Sequence, residues 1–311
     1  MTESPPLHSY YSNGKLLLTS EYLILFGAKA LAIPVRYGQS MEIYADNAQN
    51  TITWKATILN EPWFEVELAL SDLRVLTYTD SDKATYLQKC FLAAQKLNLS
   101  FLKNTKSFLV KTNLTYSQNW GLGSSSTFIA NLALWAQVDP LKLHYEVSSG
   151  SGYDIACANA QSAILFSLNN SIATWIPVNF FPSFHKNIFF IYSGKKQISD
   201  SSVKAFKTNY TPVSIDILEA TRLTDKFLEA KSPEELIQVM ELHENLISKI
   251  LKTPPLKAQF FSDFSGAIKS LGAWGGDFFM AVSLLNEDTV KNYFRVKGFD
   301  TLIKFEELAL K

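Results

Sequence analysis

The sequence predicts an α+β fold in two domains, and three observations carry that prediction. Strand and helix patterns follow one another in mixed order, with no regular strand–helix–strand alternation. The composition shifts near Pro177–Lys186, where proline, phenylalanine and asparagine cluster, which divides the chain into 1–178 and 179–311. The 311 residues are 47% apolar, enough for a sizeable core in each part.

Taken in order, Lys15–Phe26 (KLLLTSEYLILF) reads as two short buried strands around a polar turn. Met41–Tyr44, Thr51–Leu59 and Trp63–Leu70 read as strands, and Ala84–Leu97 has helical spacing and good helix formers. Ser107–Thr112 is a strand candidate. Thr127–Val138 is a strongly apolar helix stopped by Asp139-Pro140. A short helix of small residues over Tyr153–Gln161 precedes strands at Ala163–Phe166 and Ile172–Ile176. In the second part, Asn187–Ser193 is a strand. Amphipathic helices follow over Ile215–Ala230 and Pro233–Leu251, the latter with Ser232 as N-cap and Pro233 at its first position. Leu256–Leu271 reads as a further helix, Phe278–Leu284 as a strand, Glu287–Val296 as a helix and Thr301–Phe305 as the last strand.

The bulk properties exclude several functions. Basic and acidic residues number 29 each, so the formal net charge is zero and there is no footprint of a nucleic-acid binder. Two cysteines, Cys90 and Cys157, sit in apolar helical contexts and read as buried reduced thiols. The N-terminus has no signal-peptide pattern and no apolar run reaches membrane-spanning length, so a cytoplasmic protein without membrane partners is expected.

Four segments can carry chemistry. Trp120–Thr127 (WGLGSSST) places glycines directly before an apolar helix, where unpaired amides at a helix start suit a phosphate. It reads equally as a plain turn with a serine N-cap, and it matches neither GxxxxGK(S/T) nor GxGxxG. Gly150–Ala156 (GSGYDIA) brings a lone acid, Asp154, to the start of a helix, where it either stabilises that terminus or sits beside a phosphoryl acceptor. Gly272–Asp277 (GAWGGD) is a glycine-dense turn that serves geometry alone or offers backbone to a ligand. Lys15, after Gly14, starts a buried strand; it either snorkels to water or supplies the fixed positive charge that phosphoryl transfer needs. His144, near Asp154 in sequence, reads as a surface or helix-end residue sooner than as a lining of the acceptor pocket.

The order of these segments resembles the GHMP kinase superfamily of galacto-, homoserine, mevalonate and phosphomevalonate kinases. Asn13–Val35 (NGKLLLTSEYLILFGAKALAIPV) is similar to that family's PGK…GE(H/Y)…GxxALA motif, GLGSSS to its PxxxGLGSSAA, and GAWGGD to its closing glycine-rich motif. The similarity spans nearly the whole chain. It implies an N-terminal domain like domain 2 of ribosomal protein S5 and a C-terminal ferredoxin-like domain. It also implies ATP and Mg²⁺ as cofactors and a small anionic substrate, in a monomer or homodimer. By position, Gly121, Leu122, Gly123, Ser124, Ser125 and Ser126 would hold the phosphates, with Ser125 as the hydroxyl ligand of Mg²⁺. Lys15 and Asp154 match the family's lysine and aspartate at the acceptor. Glu21 and Gly152 would lie on the substrate side, with Gly272, Gly275 and Gly276 in the closing loop.

Within that family, SEYLIL with its tyrosine, GSGYDIA, and Asp277 after the last glycine pair are similar to the phosphomevalonate kinases. Gly194–Ser202 (GKKQISDSS) resembles the segment that opens the second domain in the isoprenoid kinases, and its lysines suit an anionic substrate. Mevalonate, homoserine or sugar kinases, or a nucleotide-binding protein without turnover, are the alternative readings. The chain departs from the pattern at Asn13, Ser20, Ser126, Thr127 and Trp274, and the stretch between Ser126 and Gly150 is short.

Overall fold

The structure, a computed structural model, describes residues 5–46, 50–103, 106–195, 199–211, 213–272, 274 and 276–311, with the backbone alone at 199–202. Two compact units result, one of residues 1–14, 37–118 and 122–159, the other of 15–36, 119–121 and 160–311. Both units are therefore built from separate pieces of chain, and the division expected at 178/179 falls inside the second. Strand β1 (His8–Leu17) passes from the first unit to the second at Lys15, and β2 (Ala30–Ala45) returns to the first at Tyr37.

The first unit contains β3 (Thr51–Ile58), β4 (Glu61–Ala69), β5 (Val75–Tyr78), α1 (Ser81–Leu97), β6 (Phe108–Leu114), α2 (Ser124–Ala136), α3 (Pro140–Val147) and α4 (Tyr153–Ala158). The strand order is β5-β4-β3-β6-β2. β3 runs parallel to β6, while β4 and β2 are antiparallel to their neighbours, so the sheet is mixed. Alternation explains the packing: Ile52, Trp54 and Ala56 of β3 and Phe64, Val66 and Leu68 of β4 are buried, with more exposed residues between them. Their core partners are Leu87 and Phe91 of α1 and Phe128, Ile129 and Leu132 of α2. Asp139-Pro140 ends one helix and begins another, because the Asp139 carboxylate caps the Lys142 amide and proline fits the first helical turn. The short stretch after Ser126 thus still holds a helix, α3.

The second unit continues with β7 (Ile164–Asn169), β8 (Ile172–Pro177), β9 (Ile188–Tyr192), α5 (Ser199–Asn209), α6 (Ser214–Glu229), α7 (Pro233–Leu251), α8 (Leu256–Phe260), β10 (Ala267–Ser270), β11 (Phe278–Val282), α9 (Glu287–Val296), β12 (Leu302–Lys304) and α10 (Phe305–Leu308). The β7–β8 hairpin joins the first half of β2 through the Ala30–Phe166 register, which is why it belongs to this unit. A separate antiparallel sheet has the order β10-β11-β9-β12. Its aromatic core includes Phe189, Phe261, Phe264, Phe279 and Phe294.

Two expected elements differ. The strand expected at the end of Lys15–Phe26 is a 3₁₀ turn over Leu23–Phe26, bracketed by left-handed residues Ser20, Tyr22 and Gly27 that turn the chain out of extended pairing. The helix expected over Leu256–Leu271 stops at Phe260. The chain then re-forms as β10, past Gly266, whose φ of +146° only glycine adopts easily. Among the described residues, no helix is long and apolar enough to cross a membrane.

Candidate functional site

In the first unit the site starts at α2. Its N-cap is Gly123, left-handed at φ 94°, and no side chain caps the helix. The first-turn amides therefore have no side-chain competitor for an anion, and the helix dipole adds partial positive charge there. Ser126 and Thr127 turn inward: Ser126 Oγ donates to the Gly123 carbonyl at 2.8 Å, and Thr127 Oγ1 donates to Gln39 Oε1 at 2.9 Å. These two positions, where the sequence departs from the family's alanines, are buried structural hydroxyls rather than ligand groups. Ser125 is the exposed hydroxyl of the turn, and its Oγ lies 2.6 Å from Tyr86 Oη of α1.

Asp154 lies in the first turn of α4, half-buried, with its Oδ1 accepting from the Ile155 amide at 3.1 Å. Its charge helps raise the phenols of both Tyr86 and Tyr145, after burial as the main cause. Tyr86 therefore touches Ser125 directly, whereas Asp154 reaches its phenol only as a minor electrostatic influence. Gly152, left-handed at φ 85°, is needed for space, since a Cβ there would come within 2.6 Å of Leu141 Cδ2. His144 is 4% exposed, and among the described residues neither ring nitrogen has a hydrogen-bond partner. It lies in the last turn of α3, the helix-end alternative, and its ring is buried rather than on the surface.

In the second unit, Lys15 Nζ donates to the Gly121 carbonyl at 2.9 Å, the residue whose peptide bond leads into Leu122. Gly121 is left-handed at φ 64°, and a Cβ on it would overlap the Asp277 carboxylate. The turn before it is anchored by Trp120, whose ring meets Phe278 edge-on at 5.6 Å. Lys15, Gly121 and Asp277 are therefore gathered together, and Asp277 joins the set expected from sequence. Gly272 and Gly276 lie on the β10–β11 connection, whereas Gly275 lies outside the described residues. So do residues 196–198 of the lysine-bearing segment. Trp274 packs with Leu23, Phe206 and Ile247, and its departure from glycine is a core contact.

Glu21 departs furthest from its expected role. It is fully buried, ion-paired with Lys269 Nζ, and does not line a ligand surface. His243 Nε2 lies 3.6 Å from its second oxygen and accepts the Ser20 amide at 2.8 Å, while Glu244 Oε1 accepts from the Ser270 amide at 3.0 Å. Burial raises both carboxyls against the opposing pull of Lys269, Glu244 to about 8. Burial and Lys269 together push His243 well down, leaving it neutral. Ser20 adopts φ 61°, a region natural to glycine. Its hydroxyl offsets the strain by donating to the Lys29 carbonyl at 2.6 Å and lying 3.1 Å from Thr224 Oγ1. The lone lysine in the apolar run AIKSL was the available sign of an internal partner. Tyr86 carried no such sign, being one aromatic in an amphipathic helix.

Among the described residues, no group of three or more His, Cys, Asp or Glu side chains could hold a metal ion. Ser125, a hard oxygen donor, suits Mg²⁺ only if the remaining ligands come from phosphates and water.

No protein-family model and no curated protein matches the chain. Solved structures do match it along nearly its full length. Phosphomevalonate kinase of Streptococcus pneumoniae, in complex with phosphomevalonate and AMPPNP, has a TM-score of 0.72 at 18% identity, covering 96% of this chain and 100% of its own. Mevalonate kinase of Methanococcus jannaschii has a TM-score of 0.70 at 15% identity, with 98% of each chain covered. Lactococcus lactis galactokinase, complexed with galactose, has a TM-score of 0.62 at 12% identity, covering 97% of this chain and 93% of its own. The fold of this chain is that of the GHMP kinases.

Proposed function

We propose that this protein is an ATP-dependent kinase of the GHMP type that transfers the γ-phosphoryl group of MgATP to phosphomevalonate. The observation that carries the reading is the α2 start: a left-handed glycine, a helix terminus free of side-chain caps, and the exposed Ser125 hydroxyl 2.6 Å from Tyr86 Oη. The triphosphate oxygens would accept from the first-turn amides of α2, and Lys15, matched by position to the family's lysine, is the residue assigned the fixed positive charge that the transfer needs. Bound Mg²⁺ would be held by Ser125 and phosphate oxygens and would neutralise charge on the transferred group. As proposed, the enzyme acts in the cytoplasm on a small anionic acceptor.

The choice of phosphomevalonate rests on the likeness to the Streptococcus pneumoniae enzyme and on SEYLIL, GSGYDIA and Asp277. A phosphate acceptor, with its second pKa near ~6, is mostly ionised at neutral pH and needs no strong base. Asp154 then orients the acceptor. If the acceptor were a hydroxyl, as on mevalonate, Asp154 would be the group to take its proton. A coupled ADP-release assay across phosphomevalonate, mevalonate, homoserine and galactose tests the reading. Turnover with phosphomevalonate above all others is expected. MgATP binding with no ADP release for any acceptor would replace the kinase with a nucleotide-binding protein.

A further inference from the structure

Ser125 can serve a metal ion only if its hydroxyl proton points away from that ion. A serine hydroxyl has one proton and two lone pairs, and both must be placed. The structure supplies an acceptor on the right atom: Tyr86 Oη, 2.6 Å from Ser125 Oγ. Tyr86 is itself fixed. Its ring packs at 6.1 Å from Phe128 of α2.

We infer that Tyr86 is a positioning residue: it accepts the Ser125 hydroxyl proton, so that a Ser125 lone pair faces outward for the metal of MgATP. The inference rests on the kinase reading above. It adds a third element, α1, to a site otherwise made of the α2 start and the α4 start. It also explains why a tyrosine is needed. Phenylalanine would keep the packing against Phe128 but leave the Ser125 proton without a fixed acceptor. That proton could then turn towards the ligand, where it suits a bare phosphate oxygen and opposes a cation. Loss of Tyr86 Oη should therefore weaken the metal-bearing form of the nucleotide selectively.

The test is a double-mutant cycle read by calorimetric binding of MgATP and of ATP in EDTA, with thermal unfolding as a check on the fold. Tyr86→Phe is expected to weaken MgATP binding about five- to tenfold, the scale of one hydrogen bond, and to change metal-free ATP binding less than about twofold. In a Ser125→Ala background, the same substitution should have no further effect on MgATP. Equal losses for ATP and MgATP, or additive effects of Tyr86→Phe and Ser125→Ala, would overturn the positioning role while leaving the kinase reading in place. A wild-type protein that binds neither form would remove both.

Discussion

The two units treat their polar residues in opposite ways. In the first, the exposed Ser125 and its partner Tyr86 lie at a helix start that no side chain caps, so hydrogen-bonding capacity is left for something outside the protein. In the second, Glu21, Lys269, Glu244 and His243 are sealed inside, with Lys269 ion-paired to Glu21 and close to Glu244. Each set includes a residue from a segment that resembles a family motif, Ser125 in the first and Glu21 in the second. The comparison teaches that a motif residue can serve the ligand or the scaffold, and that burial decides which.

The largest effect should come from breaking the sealed set. Lys269→Met leaves Glu21 buried without its counter-ion, and a loss of about 3–5 kcal/mol is expected in denaturant unfolding. A loss within experimental error would mean that Glu21 is held as a neutral acid and that the ion pair contributes nothing.

On the open side, Asp154→Asn tests what the site asks of its carboxylate. With a phosphate acceptor, turnover should fall while remaining measurable. A general base would instead give a loss of about 10²–10⁴-fold. Full activity would take Asp154 out of the reaction altogether.

The sealed set also has a pH signature. Glu244 holds its proton in the folded protein up to about 8, whereas the unfolded chain releases it near the ordinary value of 4.5. The folded state therefore binds more protons across that window. The stabilising contribution is complete below about 4.5 and declines as pH rises towards about 8. Glu244→Gln should flatten this decline in melting temperature against pH. An unchanged slope would place the titrating group elsewhere.

The smallest effect concerns His144, whose two ring nitrogens lack partners among the described residues. His144→Leu removes a buried polar group without breaking a bond, so stability should rise by about 1 kcal/mol. A fall would show that the ring has a partner such as an ordered water.

Much of this was legible in the sequence. Glycine before an apolar helix signals the α2 start because both features are local, and Ser232-Pro233 marked α7 for the same reason. Trp274 and Ser20 looked like damage to the motifs. The structure shows why they are tolerated: one fills an apolar cluster, and the other bonds its way through a left-handed turn. Contacts between distant segments were not legible. Lys269 finds Glu21 across the unit, and Tyr86 reaches Ser125 from a different helix, so neither pairing leaves a periodic or local trace. The residue pattern of the β7–β8 hairpin predicts two strands, yet only its pairing with β2 assigns it to the second unit.

Amide hydrogen exchange, with and without MgAMPPNP, tests the central claim most directly. Slower exchange at Leu122–Ser126 on adding the nucleotide is the predicted result. Unchanged exchange at that helix start, with protection arising only elsewhere, would contradict the account.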